Sequence, residues 1–290
     1  MRILLLGAEG LLGTGFRAVA AADPRVTELT ALGRRDVDVT DHKAVSRALR
    51  DVAPDACVNA AVLMPADLCD REPEQAYAVN ALGARWVSRA CAESGAVPVY
   101  VSTDFVFDGM GERCYLPEDL PSPLQTYGTS KLAGEQETRL GSPQRHLVLR
   151  TAALFGPPPD GAGRRACFVD RIAEAARRTG EVRIVDNVVM SPTYTVDFAA
   201  AVLDLLHHGA GSGRYHLVNQ GSASWYRLGR TALERLGIQA RVVPVGQPVL
   251  TSAPRPHHTP LGGELPPFVR RIRRPWQAAL DEYLGGRSGR

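Results

Sequence analysis

The sequence predicts an α/β protein: a doubly wound parallel-sheet Rossmann fold with a smaller C-terminal substrate lobe. Three observations lead there. Short apolar runs alternate with segments of helical period along most of the chain. A glycine-rich turn follows directly on the first of those runs. Strand, helix, strand repeated this often leaves parallel pairing through right-handed crossovers as the economical topology.

The first strand is predicted over Arg2–Leu6 and runs straight into Gly7-Ala-Glu-Gly10-Leu11-Leu12-Gly13, which opens a helix. Gly7, Gly10 and Gly13 permit a sharp turn, a close approach to a pyrophosphate and tight helix–strand packing. The helix end, with the N–H groups around Leu11 and Leu12, then faces the anion. The spacing is G-x-x-G-x-x-G, not G-x-G-x-x-G. A second strand, Glu28–Leu32, ends in Gly33-Arg34-Arg35 without the acid that a NAD site places near the ribose 2′-OH. Arg34, with Arg35, is suited to a 2′-phosphate, so NADPH is the expected cofactor and NADH the lesser option. Asp38 and Val39 are candidates for the adenine edge.

The third strand, Ala56–Ala60, delivers Ala60 and Ala61 to the same cofactor cleft. A helix over Gln75–Glu93 carries Asn80, which holds a backbone water or is simply a satisfied polar residue. The fourth strand, Val97–Ser102, ends in Thr103-Asp104, and a fifth is expected over His146–Arg150. Beyond residue 150 the pattern loosens. Strands are predicted over Val182–Val185 and Tyr215–Val218, with a helix over Val196–His207. Pro/Gly-rich loops cover Gly156–Gly163 and Gln247–Pro267, and a frayed end Gly285–Arg290. Residues 1–150 are read as the NAD(P)-binding domain and 151–290 as mainly the substrate lobe, with segments returning to the main sheet.

Tyr127-Gly-Thr-Ser-Lys131 places a phenol and an ammonium one helical turn apart on one face. A free phenol titrates near ~10, and a nearby cation lowers that value. Thr103, at a strand's carboxyl end where open α/β sheets bind ligands, is positioned to hydrogen-bond a substrate carbonyl. Tyr127 as proton donor, Lys131 and Thr103 form the candidate catalytic set, with Tyr127 and Lys131 also reaching the cofactor.

Composition narrows the alternatives. The net charge is +3, and the Arg clusters at 164–165, 177–178 and 270–274 read as solvated faces, so a nucleic-acid partner is not expected. Five scattered cysteines without C-x-x-C spacing argue against a zinc site or a disulfide framework, and no metal is expected. No apolar window reaches membrane-spanning length. A cytoplasmic protein without a membrane partner is the expectation.

Taken together, GAEGLLG (7–13), NAA (59–61), VNALG (79–83), STDFVFDG (102–109) and YGTSKLAGE (127–135) closely resemble the extended short-chain dehydrogenases/reductases, nearest to the dTDP-4-dehydrorhamnose reductase family. The resemblance continues through LRT (149–151), SPTYTVDFA (191–199), GRYHLVNQGSASWY (213–226) and RPHHTPL (255–261), nearly the whole chain. It implies NAD(P)H-dependent reduction of the C4 ketone of a nucleotide-linked 4-keto-6-deoxysugar, in deoxysugar biosynthesis including antibiotic pathways. It also implies a nucleotide-sugar partner held by the C-terminal lobe, with Asp104, Val106, Ala153, Pro192–Thr193 and Arg255 as substrate contacts. A homodimer stays open. Two stretches depart from the family pattern: Val62–Leu68 keeps Asp67 but lacks the following Lys, and Ala152-Ala153 replaces Ser-Trp. Those changes leave the sugar open, and with it an epimerase or a reductase of another ketone. A non-catalytic nucleotide-binding subunit is disfavoured by the complete Thr103, Tyr127 and Lys131 set.

Overall fold

The computed structural model describes residues 1–159, 166–210, 212–247 and 253–286. Arg164–Arg165 and parts of the segments 156–163, 247–267 and 285–290 discussed above lie outside the described residues.

Six strands form one parallel sheet: β1 (Arg2–Leu6), β2 (Glu28–Leu32), β3 (Ala56–Asn59), β4 (Val97–Thr103), β5 (Leu147–Thr151) and β6 (Gly213–His216). Their order is β6-β5-β4-β3-β1-β2. After β1 the chain goes to one side for β2 and to the other for β3. That reversal opens a crevice beyond the strand ends, where doubly wound sheets bind nucleotides. β3 and β5 are buried along their whole lengths, as strands covered on both faces must be.

Alternation along β1 builds two cores. Ile3 and Leu5 pack with Phe16 of the helix Leu11–Ala22 and with Phe198, Val202 and Leu205 of the helix Thr195–His207. Leu4 and Leu6 pack on the other face with Val45, Leu49, Val87 and Cys91.

Two elements differ from expectation, each for a physical reason. The predicted helix Gln75–Glu93 is three pieces: Pro73–Tyr77, a π-helical turn Ala78–Leu82, and Gly83–Ser94. Within that turn the Asn80 carbonyl accepts from the Tyr100 hydroxyl at 2.7 Å, and its side chain bonds Leu63 and Ser130. These outside partners compete with the helical ladder, a usual origin of π-bulges. The segment Val182–Val185 is a strand over Glu181–Val185, but it pairs in parallel with Arg241–Val245, away from the main sheet. Pro244 masks that partner in the sequence, since proline removes a ladder donor and is tolerated in strands mainly at an edge. The remaining predicted strands fall within two residues of the observed ones. Among the described residues no helix is long and apolar enough to cross a membrane, and no group of three or more metal-ligating side chains occurs.

Candidate active site

The glycine turn has the geometry its sequence demands. Gly7 adopts φ +76°, and a Cβ there would lie 2.7 Å from the Ala60 carbonyl carbon and the Ala61 nitrogen. A Cβ on Gly13 would lie 2.5 Å from the Ala8 carbonyl oxygen. Gly10 caps the helix Leu11–Ala22 without a side-chain bond, and the first backbone bond into the helix runs from Thr14 N to Gly10 O at 2.9 Å. The N–H groups of Leu11, Leu12 and Gly13 therefore have no intrahelical acceptor and face out of the helix end. This cradle, which side chains would fill, fits a dinucleotide pyrophosphate. Asn59 Oδ1 accepts from Ala61 N at 3.1 Å and fixes the floor opposite Gly7.

At the tip of β2, Arg34 and Arg35 are exposed. Arg34 Nε lies 3.6 Å from Asp38 Oδ2, and Asp38 Oδ1 accepts from the Thr40 amide and hydroxyl at 2.9 and 2.8 Å. The Thr40 bonds, foremost the amide, hold the Asp38 carboxyl below its ordinary range. Val39 is buried, and its side chain faces Gly83.

The helix Thr126–Gly141 carries Tyr127, Lys131 and Glu135 at successive turns. Its start is set by Gln125, whose side-chain oxygen accepts from Gly128 N at 2.6 Å, and by Asp70, which accepts from Thr126 N at 2.9 Å. Tyr127 lies beside Thr103 at the end of β4, whose hydroxyl favours the phenolate, and its ring meets Phe105 edge-on at 5.8 Å. Burial pushes the Tyr127 phenol well above its ordinary value. The expectation of a lowered phenol is thus corrected: desolvation, with Asp104 adding to it, outweighs the Thr103 hydroxyl that favours the phenolate. The cation expected to lower it is itself desolvated. Lys131 is 2% exposed, its Nζ sits 4.0 Å from the centre of the Tyr100 ring, and burial brings its pKa down to about 7 against an upward pull from Glu135.

Glu135 anchors this stripe. It accepts from Arg150 Nε and Nη2 at 2.8 Å each and from Ser102 Oγ at 2.6 Å, all within the core.

Of the expected substrate contacts, Pro192 and Thr193 are buried, and Asp104, Val106, Ala153 and Arg255 separate. Ala153 keeps some exposure and takes φ +42°, a conformation uncommon for a residue with a side chain, while its carbonyl accepts from Thr193 N at 3.2 Å. Arg255 is ion-paired with Asp67 at 2.8 Å, so its guanidinium already has a carboxylate partner. Val106 is fully buried with Phe107, Ala152 and Leu261, so its side chain serves the core and cannot touch a substrate. Asp104 is 4% exposed, and both its oxygens are engaged: Thr103 Oγ1 donates to one at 3.1 Å and Thr259 Oγ1 to the other at 2.6 Å. Burial raises its pKa to about 6 despite those bonds. Asp104 therefore orients Thr103 from behind. Thr259 and Glu135 were not legible as partners, because each pairing spans elements that only the fold joins.

A nucleotide cradle at the switch of a parallel sheet, with Thr at the end of β4 and Tyr and Lys on the helix packed beside that strand, defines an extended short-chain dehydrogenase/reductase. Comparison with known proteins narrows the class. The family model described as "RmlD substrate binding domain" matches residues 1–287. A dTDP-4-dehydrorhamnose reductase of Streptomyces griseus is 34% identical, the match covering 100% of this chain and 96% of that one. A spore coat polysaccharide biosynthesis protein of Bacillus subtilis, SpsK, is 32% identical over 99% of this chain and 98% of its own. The solved dTDP-4-dehydrorhamnose reductase of Bacillus anthracis, a complex with NADP, superposes with a TM-score of 0.90 at 26% identity, covering 98% and 99% of the two chains. The chain belongs to the dTDP-4-dehydrorhamnose reductase family.

Proposed function

We propose that this protein is an NADPH-dependent reductase of the 4-keto group of a dTDP-linked 4-keto-6-deoxysugar. The observations that carry the reading are Tyr127 beside Thr103 at a strand end, Lys131 one turn further along the Tyr127 helix, and a glycine turn shaped for the cofactor, in a family whose members bear the matching name. Gly7, Gly10, Leu11, Leu12 and Gly13 would hold the pyrophosphate, with Ala60 and Ala61 opposite. Bound NADPH supplies the hydride.

The protein's own part is orientation and proton delivery. Thr103 has one hydroxyl proton, which it donates to Asp104 at 3.1 Å, and Tyr127 lies beside it. A substrate carbonyl entering beside Tyr127 takes a hydrogen bond from the phenol, and from Thr103 once its single proton turns from Asp104 to the carbonyl; both bonds grow stronger as charge develops on the oxygen. Because burial keeps the phenol protonated, Tyr127 is loaded to give its proton to the forming alkoxide. Lys131 in its charged form stabilises the phenolate left behind. The sugar nucleotide would be held by the segment after residue 150, at Ala153, and by the Asp67–Arg255 pair that joins that segment to the N-terminal part. Homodimer formation belongs to the same proposal and is read by light scattering.

Purified protein is mixed with NADPH and dTDP-4-keto-6-deoxyglucose, or its 3,5-epimer, and followed at the cofactor absorbance band. Oxidation of NADPH matched by a reduced sugar nucleotide is expected. No turnover with any 4-keto sugar nucleotide rejects the reading.

A further inference from the structure

The sequence places no acid at the tip of β2, yet the fold brings one there from another element. Glu9 is the third residue of the glycine turn. Ala8 N donates to Leu32 O at 3.1 Å and stitches that turn to the end of β2. Glu9 is half-buried, and its side chain lies across Gly33, the first residue beyond the strand. A Cβ on Gly33 would stand 2.5 Å from the Glu9 carboxyl carbon and 2.8 Å from Oε2. Gly33 is what lets the carboxylate settle there.

The charges around this point are mixed. Gly33 N donates to Asp36 Oδ2 at 2.8 Å, and Arg34 leans toward Asp38. Three carboxylates, Glu9, Asp36 and Asp38, thus stand among the two arginines expected to hold a 2′-phosphate. In dinucleotide sites an acid at this place accepts a hydrogen bond from the ribose 2′-OH, whereas an arginine takes the 2′-phosphate. A carboxylate beside a phosphate is repelled, and one beside a hydroxyl is bonded.

We infer that Glu9 sets cofactor choice: its carboxylate accepts from the ribose 2′-OH of NADH and opposes the 2′-phosphate of NADPH, against the pull of Arg34 and Arg35. The acid that reads the 2′ position comes from the glycine turn, while Asp36, from just beyond the strand, is engaged by Gly33 N. The inference rests on the reductase reading for the presence of a nicotinamide cofactor, so its test is equilibrium binding without any sugar.

Dissociation constants for NADPH and NADH are measured by calorimetry on the intact wild-type protein and on Glu9→Gln, with Arg34→Ala alongside. In Glu9→Gln the ratio Kd(NADH)/Kd(NADPH) rises by about fivefold or more, as expected for loss of one charge-assisted contact. In Arg34→Ala it falls. If Glu9→Gln does not fold, Glu9→Asp, which draws the carboxylate back by one methylene, shifts the ratio in the same direction. A ratio that rises less than about fivefold in Glu9→Gln overturns the inference, as does an unchanged or falling ratio in the folded Glu9→Asp variant. Failure of the wild type to bind either cofactor rejects the reductase reading and this inference with it, whereas binding without sugar turnover leaves the ratio to judge Glu9 alone.

Discussion

Replacing Glu135 with Gln tests how a buried ion pair supports the site. Arg150 is fully buried, and its Nε and Nη2 each donate to Glu135 at 2.8 Å. Gln keeps one acceptor oxygen but removes the charge, leaving a guanidinium in the core without its counter-ion. Breaking a buried pair from one side costs about 3–5 kcal/mol, and the retained acceptor points to the lower end, about 3 kcal/mol. A second effect reaches Lys131, one turn back on the same helix. Side chains four apart lie roughly 6 Å from each other, and at an effective dielectric near 20 that is about 3 kcal/mol, or about 2 pH units. Burial already holds Lys131 at about 7, with Glu135 pulling upward, so removing Glu135 lowers it further. Lys131 is charged below its pKa and neutral above it. Activity therefore declines on the alkaline side, and in Glu135→Gln that decline moves to lower pH. Urea unfolding reads the first effect and a kcat/KM profile across pH 5–9 the second. Adding Arg150→Met to Glu135→Gln removes the stranded cation, so stability recovers while the alkaline limb stays displaced. A loss below about 1 kcal/mol in the single variant, or an unmoved limb, refutes the reasoning.

Other outcomes follow from the same geometry. Tyr127→Phe lowers kcat by about 10²–10⁴-fold while NADPH binding by fluorescence titration stays within about threefold; equal loss of both contradicts the proton-donor role. Asp104, raised to about 6, binds more protons folded than unfolded between about pH 4 and pH 6, so its ionisation removes stability as pH rises through that window, by about 3 kcal/mol. Asp104→Asn flattens that part of the urea-midpoint profile relative to wild type, and an unchanged profile counts against it. Gly7→Ala, at φ +76° and 2.7 Å from the Ala60–Ala61 backbone, costs about 1–3 kcal/mol and weakens cofactor binding. Gly10→Ala, whose Cβ would have 3.4 Å to its neighbour, leaves stability within about 0.5 kcal/mol in the same denaturation assay.

Much of this protein was legible before any coordinates. Strands buried on both faces are written as continuous apolar runs, so β1, β3 and β5 stand out, and the glycine turn fixes where the cofactor cradle begins. Tyr127 and Lys131 share a helix, and helical spacing alone brings them together. What escaped depends on contacts between distant segments. Thr259 meets Asp104 across 155 positions of sequence, and nothing local to either announces it. Burial lifted the Tyr127 phenol and turned Val106 into core, because desolvation belongs to the packed molecule and not to the motif. Asn80 looked like a poor helix residue, and the structure gives the reason: its hydrogen bonds run outward to Leu63, Ser130 and Tyr100. Glu9 reads as an ordinary loop acid until the turn is laid against Gly33.

The most direct test of the proposed reaction follows a single label. NADPH carrying deuterium at both C4 positions is turned over with the dTDP-4-keto-6-deoxysugar, and the product is read by NMR. One deuterium at sugar C4, with loss of the reaction in Tyr127→Phe, is the predicted result. Deuterium at another sugar carbon, or a product without deuterium, contradicts the account.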